Sequence, residues 1–171
     1  MKSNLKTFTL IFSFIGLTFL PITMLIQHNR LVTIQGILSE VNKSSNRIPY
    51  YRLNLNGYKS TFQNKGNGLL SLLKPAIVYD RKPVFFKILK DDLLFVNTYE
   101  KTTYIGFNGK HTLIDLYYCI TKPSLFIQIF LVICGFTLVV LNLICHYRYK
   151  QKIFARLMFA ALLFSFLLML L

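Results

Sequence analysis

Three long stretches of this chain carry almost no charge, and the region between the first two alternates apolar and polar residues in short segments. The first stretch, TFTLIFSFIGLTFLPITMLI, runs from Thr7 to Ile26. The second, LFIQIFLVICGFTLVVLNLIC, runs from Leu125 to Cys145, and the third, IFARLMFAALLFSFLLMLL, from Ile153 to Leu171. A helix of about 20 apolar residues crosses the hydrocarbon core of a bilayer. The pattern predicts three transmembrane helices: a signal anchor in residues 1–26 and a hairpin of residues 125–145 and 153–171. The third is just long enough, and Arg156, one turn in, can reach back to the headgroups along its own stem. A cleaved signal peptide competes for the first run because Lys2 and Lys6 form a basic start. That run is too long for one, and no A-x-A-like site follows it. Pro21 is expected to kink the helix late.

Residues 27–124 follow a different code. RLVTIQGILSEV places Val32, Ile34 and Leu38 in alternation, with Gly36 a candidate bulge. After the polar turn NKSSNRIP, YYRLNL puts Tyr51, Leu53 and Leu55 on one face. Asn56-Gly57 carries a type I′ hairpin signal, and YKSTFQN continues with Tyr58, Ser60 and Phe62, so that three strands form a meander. GLLSLLKP reads as a short helix stopped before Pro75. In KPVFFKILK, Val84, Phe86 and Ile88 share one face of a strand. Asp91-Asp92 turn that strand into LLFVNTY, and TTYIGF follows. Asn108-Gly109 is another turn, and Thr112-x-x-Asp115 resembles a capping box opening a helix lined by Leu113, Leu116, Tyr117 and Ile120. The predicted fold is α+β: three transmembrane helices with a small, mainly-β domain, an OB-like or SH3-like partial barrel, inserted between helix 1 and helix 2.

Charge sets the orientation. Of 171 residues, 20 are Lys or Arg against 6 acids, a net charge of +14. Charged residues make up 15% of the chain, where about 25% is usual for a soluble domain. Arg148, Lys150, Lys152 and Arg156 cluster in the short connection HYRYKQK and just past it, and Lys2 and Lys6 precede the first run. Short connections rich in Lys and Arg stay in the cytoplasm, whereas segments longer than about 60 residues escape that rule. The N-terminus is therefore expected in the cytoplasm, with the β-domain and the C-terminus outside the inner membrane. On the helices, Gln128, Gly135 and Asn142 recur every seven residues on one face, and Ser13 and Gly16 lie on a similar stripe. Small residues and amides of this kind serve close helix packing. No span carries a carboxylate or histidine, so no proton relay is visible and a pump or transporter is disfavoured.

Candidate chemistry is sparse. Asp91 and Asp92 are neighbours in a turn and read as solvated rather than catalytic. His28 and His146 flank apolar runs. His111 precedes Asp115 by four residues, but a dyad would need a nucleophile, and a helix start explains the same pair. NKGNG lacks the frame of a phosphate loop. Cys119, Cys134 and Cys145 have no metal-type spacing, and no cofactor or metal is expected. The middle is lysine-rich, and Arg81, Lys82, Lys87 and Lys90 form its candidate binding surface. Membrane lipids, through their anionic headgroups, or an acidic protein partner fit such a surface. Nucleic acid does not fit it outside the membrane.

The segments PYYRLNLNGYKSTFQ, KPVFFKILK and TTYIGFNGKHTLID resemble a group of small uncharacterised bacterial membrane proteins. The resemblance covers the insert and its flanks. It implies an amino-terminal span, a β-rich extracytoplasmic insert with a tyrosine-rich strand leading to T-F-Q, and carboxy-terminal hydrophobic helices. Its motifs are structural and imply no activity. The sequence thus leads to a non-enzymatic inner-membrane protein whose β-domain docks a protein partner or the membrane surface, in immunity to a toxin or as an accessory of an envelope complex. The alternative is a small membrane-embedded enzyme or transporter using the polar face of the helices.

Overall fold

The computed structural model describes residues 2–45, 50–64, 68–74, 76–79, 82–121 and 125–169. The protein is α+β and divides into two compact units, one made of the N-terminal helix up to Thr23 and the C-terminal helices, the other of residues 24–122.

In the helical unit, α1 spans Lys2–Asn29 and continues through Pro21 as one helix. Helices α3, Leu125–Tyr149, and α4, Lys152–Met169, form a hairpin. The link between them is two residues long. Lys150 takes the left-handed conformation there (φ 52°), and its N–H bonds His146 O at 2.8 Å, which ends α3. Among the described residues two helices are long and apolar enough to cross a membrane, Asn4–Asn29 and Gln128–Tyr149. The expectation of three such helices is corrected at α4. Its described residues, Lys152–Met169, rise about 27 Å at 1.5 Å each, against a hydrocarbon core of about 30 Å.

The second unit is a curled five-stranded sheet in the order β4-β1-β2-β3-β5. Its strands are β1 (Leu31–Lys43), β2 (Tyr51–Leu55), β3 (Thr61–Gln63), β4 (Pro83–Leu89) and β5 (Lys101–Thr103). The expected meander is present, since β1–β2 and β2–β3 pair antiparallel. Strand β1 also pairs with β4 along Leu31–Ile37, then shifts register between Leu38 and Glu40 as it passes to β2. That bulge supplies the bend a strand needs to serve two neighbours. It also changes the inward phase, so that Ile34 and Leu38 before it and Val41 after it all meet the core. The bulge therefore lies past Gly36, whose part is steric: a Cβ there would stand 3.3 Å from Leu55 Cδ1.

Strand β5 runs parallel to β3. Reciprocal bonds between Lys87 and Ile105, at 2.8 and 2.7 Å, then bring the chain back to β4 and turn the sheet into a half-barrel. Inside it, Phe86 packs against Phe62 and Tyr104 with ring centroids 4.9 and 5.4 Å apart. Burying each such ring contributes about 1.5–3 kcal/mol. The alternation in YYRLNL and KPVFFKILK is explained by this interior, because Leu53, Leu55, Val84, Phe86 and Ile88 are all buried.

Three expectations change here. LLFVNTY forms no strand: Lys90–Phe95 is a 3₁₀ turn, and Val96 alone of the following residues plugs the core. At Asn56-Gly57 only Gly57 has a positive φ, so the turn is not type I′; Asn108-Gly109, with φ of 49° and 74°, fits that type instead. Helix α2 (Thr112–Thr121) buries Asp115, Leu116, Tyr117 and Tyr118 while Leu113 stays exposed. The segment GLLSLLKP does contain a short 3₁₀ helix, Leu69–Leu73.

Candidate functional site

The end of the half-barrel where β1 finishes and β2 begins holds a cavity of about 450 Å³, within the usual range for ligand pockets. Lys43 closes β1 and Tyr50 and Tyr51 open β2 on one side of it. Asn64 follows β3, Lys74 follows the 3₁₀ helix, and Tyr104, Phe107 and His111 come from the segment joining β5 to α2.

At its floor Lys74 forms an ion pair with Asp115, their side chains 17% and 4% exposed. An ion pair this dry persists only when its remaining hydrogen-bonding capacity is met. Lys74 Nζ also donates to Asn64 Oδ1 at 3.0 Å, and it lies 5.5 Å from the centre of the Tyr118 ring. The second carboxylate oxygen of Asp115 accepts the Gly106 N–H at 2.7 Å. Asn64 Nδ2 donates to Tyr104 O at 3.3 Å, and the Tyr118 hydroxyl accepts the Leu70 N–H at 3.0 Å. Burial, and then the nearby charges of Asp115 and Tyr51, push the Tyr104 phenol far above its ordinary range, so it stays neutral.

This geometry replaces the expected capping box. Asp115 turns its carboxylate toward Gly106 and Lys74, and the Thr112 hydroxyl donates to Gly109 O at 3.4 Å. The same two contacts occupy both carboxylate oxygens that a His111–Asp115 dyad would need. His111 instead meets Asp115 through its backbone carbonyl, which accepts the Asp115 N–H at 3.1 Å. Among the described lining residues Asp115 is the one carboxylate, and Lys74 offsets its charge; Lys43 and Lys110 stay exposed at the rim. The arrangement can hold a polar or anionic group against aromatic walls. No cluster of three or more His, Cys, Asp or Glu suited to a metal occurs among the described residues.

The residues singled out from sequence fall elsewhere. Arg81 lies outside the described residues. Lys82 precedes β4, Lys87 lies within it and Lys90 follows it, and none of the three lines the cavity. Eight residues of extended chain separate Lys82 from Lys90, roughly 26 Å at 3.3 Å each, so they form a line rather than a patch. In the helical unit, Asn142 Nδ2 donates to Ser13 Oγ at 2.7 Å. A Cβ at Gly16 would meet Leu138 Cδ1 at 2.8 Å, and one at Gly135 would meet Ser165 Oγ at 2.6 Å. Gln128 is half-buried, Lys6 half-buried, and Arg148, Lys150, Lys152 and Arg156 are exposed; the side chain of Lys2 lies outside the description.

Sequence reasoning missed the Lys74–Asp115 pair. Its signal was Asp115 itself, the one acid after Glu100, set within the apolar run TLIDLYYCI. Compared with family models, curated proteins and solved structures, the chain matches none.

Proposed function

We propose that this is a non-enzymatic, integral inner-membrane protein whose extracytoplasmic β-domain docks a protein partner, with the cavity receiving an acidic or aromatic segment of that partner. The N-terminus and the Arg148–Arg156 connection lie in the cytoplasm in this reading. The strand order supports an OB-like barrel over an SH3-like one: a β1–β2–β3 meander, β5 parallel to β3, and β4 beside β1, with a helical turn between β3 and β4. Such barrels are binding modules, and loops at the barrel end are where they bind.

The observation that carries the reading is the cavity, whose one carboxylate among the described lining residues is offset from within while lysines remain at its rim. The reading covers an accessory of an envelope complex and a toxin-immunity protein alike. The alternative of an embedded enzyme or transporter is served less well, because the Asn142 amide nitrogen is taken up within the helical unit by Ser13 Oγ and Leu138 O.

The test places a photoreactive phenylalanine analogue at Tyr50 and irradiates intact cells. The expected result is a discrete adduct, lost when Lys43 and Lys110 are both changed to Glu. An adduct indifferent to that double charge reversal, or none at all, removes the cavity as the docking site.

A further inference from the structure

The turn Lys90–Phe95 carries a cluster of large apolar side chains on its outside. None of its residues is buried, Leu94 is 82% exposed, and Leu93 and Phe95 beside it are also exposed. Tyr99, a few residues on, is 86% exposed, with Lys59 Nζ 5.7 Å from its ring centre. Single exposed apolar side chains are ordinary on protein surfaces, whereas three consecutive large ones on one turn, Leu93, Leu94 and Phe95, ask for a cover.

Two contacts fix this turn to the end of α1. The Lys90 N–H donates to Arg30 O at 2.9 Å, and the Arg30 guanidinium donates to both carboxylate oxygens of Asp91 at 2.7 Å. Arg30 stands four residues past Ile26, where the apolar run ends. At 1.5 Å per residue that is about 6 Å along the axis, and the headgroup layer on each side of a bilayer is roughly 5–7 Å deep. A turn bonded to Arg30 is therefore at headgroup depth if α1 crosses the membrane, and the inference rests on that reading.

We propose that Leu93, Leu94 and Phe95, with Tyr99, form an interfacial anchor that enters the headgroup–acyl boundary of the leaflet from which α1 emerges. Lys59 and Lys90 face the anionic headgroups there. Apolar side chains flanked by lysines are the composition that binds this layer. The β-domain is thereby held against its own membrane by a second attachment beside α1.

The chain has no tryptophan, so one introduced residue reports alone. Full-length Leu94→Trp and Phe14→Trp proteins are reconstituted into phosphatidylcholine–phosphatidylglycerol vesicles containing lipids spin-labelled near the headgroup or near the tail end. The expected Leu94→Trp emission is blue-shifted, quenched most by the shallow label, and shielded from aqueous acrylamide. It shifts toward red when Lys59 and Lys90 are both changed to Glu. Phe14→Trp, in the middle of α1, is quenched most by the deep label. If Phe14→Trp behaves so while Leu94→Trp emits as in water and is quenched by acrylamide, the anchor is overturned and the span stands. A blue-shifted Leu94→Trp that neither lipid label quenches means that protein covers the turn, which also overturns it. Failure of the deep label to quench Phe14→Trp overturns the span and the anchor with it.

Discussion

Asn142 and Ser13, 129 residues apart in the chain, meet through a 2.7 Å hydrogen bond with both side chains buried. The same amide nitrogen donates to Leu138 O at 2.8 Å. Between helices in a bilayer, such a bond contributes about 0.6 kcal/mol on average and about 1.7 at most. Ser13→Ala and Asn142→Leu should each destabilise the helical unit modestly, and their double-mutant coupling should fall in that range. Titration of the purified protein with dodecyl sulfate in mixed micelles measures it; a coupling of zero means the contact does not form in solution.

Gly135 gives a sharper test, because what opposes a larger residue is a single oxygen. A Cβ there falls 2.6 Å from Ser165 Oγ, while Ser165 Cβ is 3.5 Å away. Gly135→Ala should weaken the α3–α4 hairpin by about 1–3 kcal/mol, the usual cost of overpacking. Adding Ser165→Ala removes the oxygen and should restore most of the loss. Gly16→Ala should be milder, since the atom it meets is the tip of Leu138, which can rotate away. Unfolding midpoints of the four proteins decide the order.

Breaking the Lys74–Asp115 pair from one side should be severe. Removing one member of a buried pair costs about 3–5 kcal/mol, because the other charge is left dry. Lys74→Met strands the more deeply buried partner, with the Gly106 N–H as its remaining contact. Asp115→Ala strands a lysine that still has Asn64. Lys74→Met should therefore be the worse of the two, and Lys74→Met with Asp115→Leu should recover much of the loss. Thermal melts followed by near-ultraviolet circular dichroism report the tertiary packing that this pair supports.

Alkaline pH should unfold the β-domain through its tyrosines. Burial, and then the neighbouring Tyr118, push the Tyr117 phenol from 10.0 up to about 12, and Tyr104 is raised as well. A group whose pKa is raised on folding favours the folded state in its protonated form. That stability is complete below pH 10 and is lost as pH climbs from 10 to about 12. Tyr117→Phe should flatten the fall, and the part of the tyrosinate absorbance that this substitution removes should rise together with loss of structure rather than ahead of it.

The strands that could be read from the sequence are those with one wet face and one dry face. Leu53 and Leu55, and Val84, Phe86 and Ile88, alternate because the half-barrel has one interior. LLFVNTY misleads for a related reason: three of its apolar residues face outward, so composition suggested a strand that burial does not support. The third run reads as a span from its length and apolar content, and among the described residues α4, Lys152–Met169, is not one of the two helices that meet both requirements. The cavity was beyond reach because Lys43, Lys74 and Asp115 converge from three elements, and Asp115 had a simpler explanation as a cap. The parallel pairing of β3 with β5 has no signature in either strand, each three residues long.

Strand β1 emerges during synthesis directly behind α1, yet Leu31 must wait for Leu89 to find its partner. Until β4 has been made, half of β1 presents bare backbone on an edge, the kind of surface that recruits wrong strands. Contacts this distant in sequence also close slowly. Assembly of the barrel is thus gated by synthesis of its fourth strand, and a chain stalled between Gln63 and Pro83 should be a substrate for proteases rather than a partly working domain.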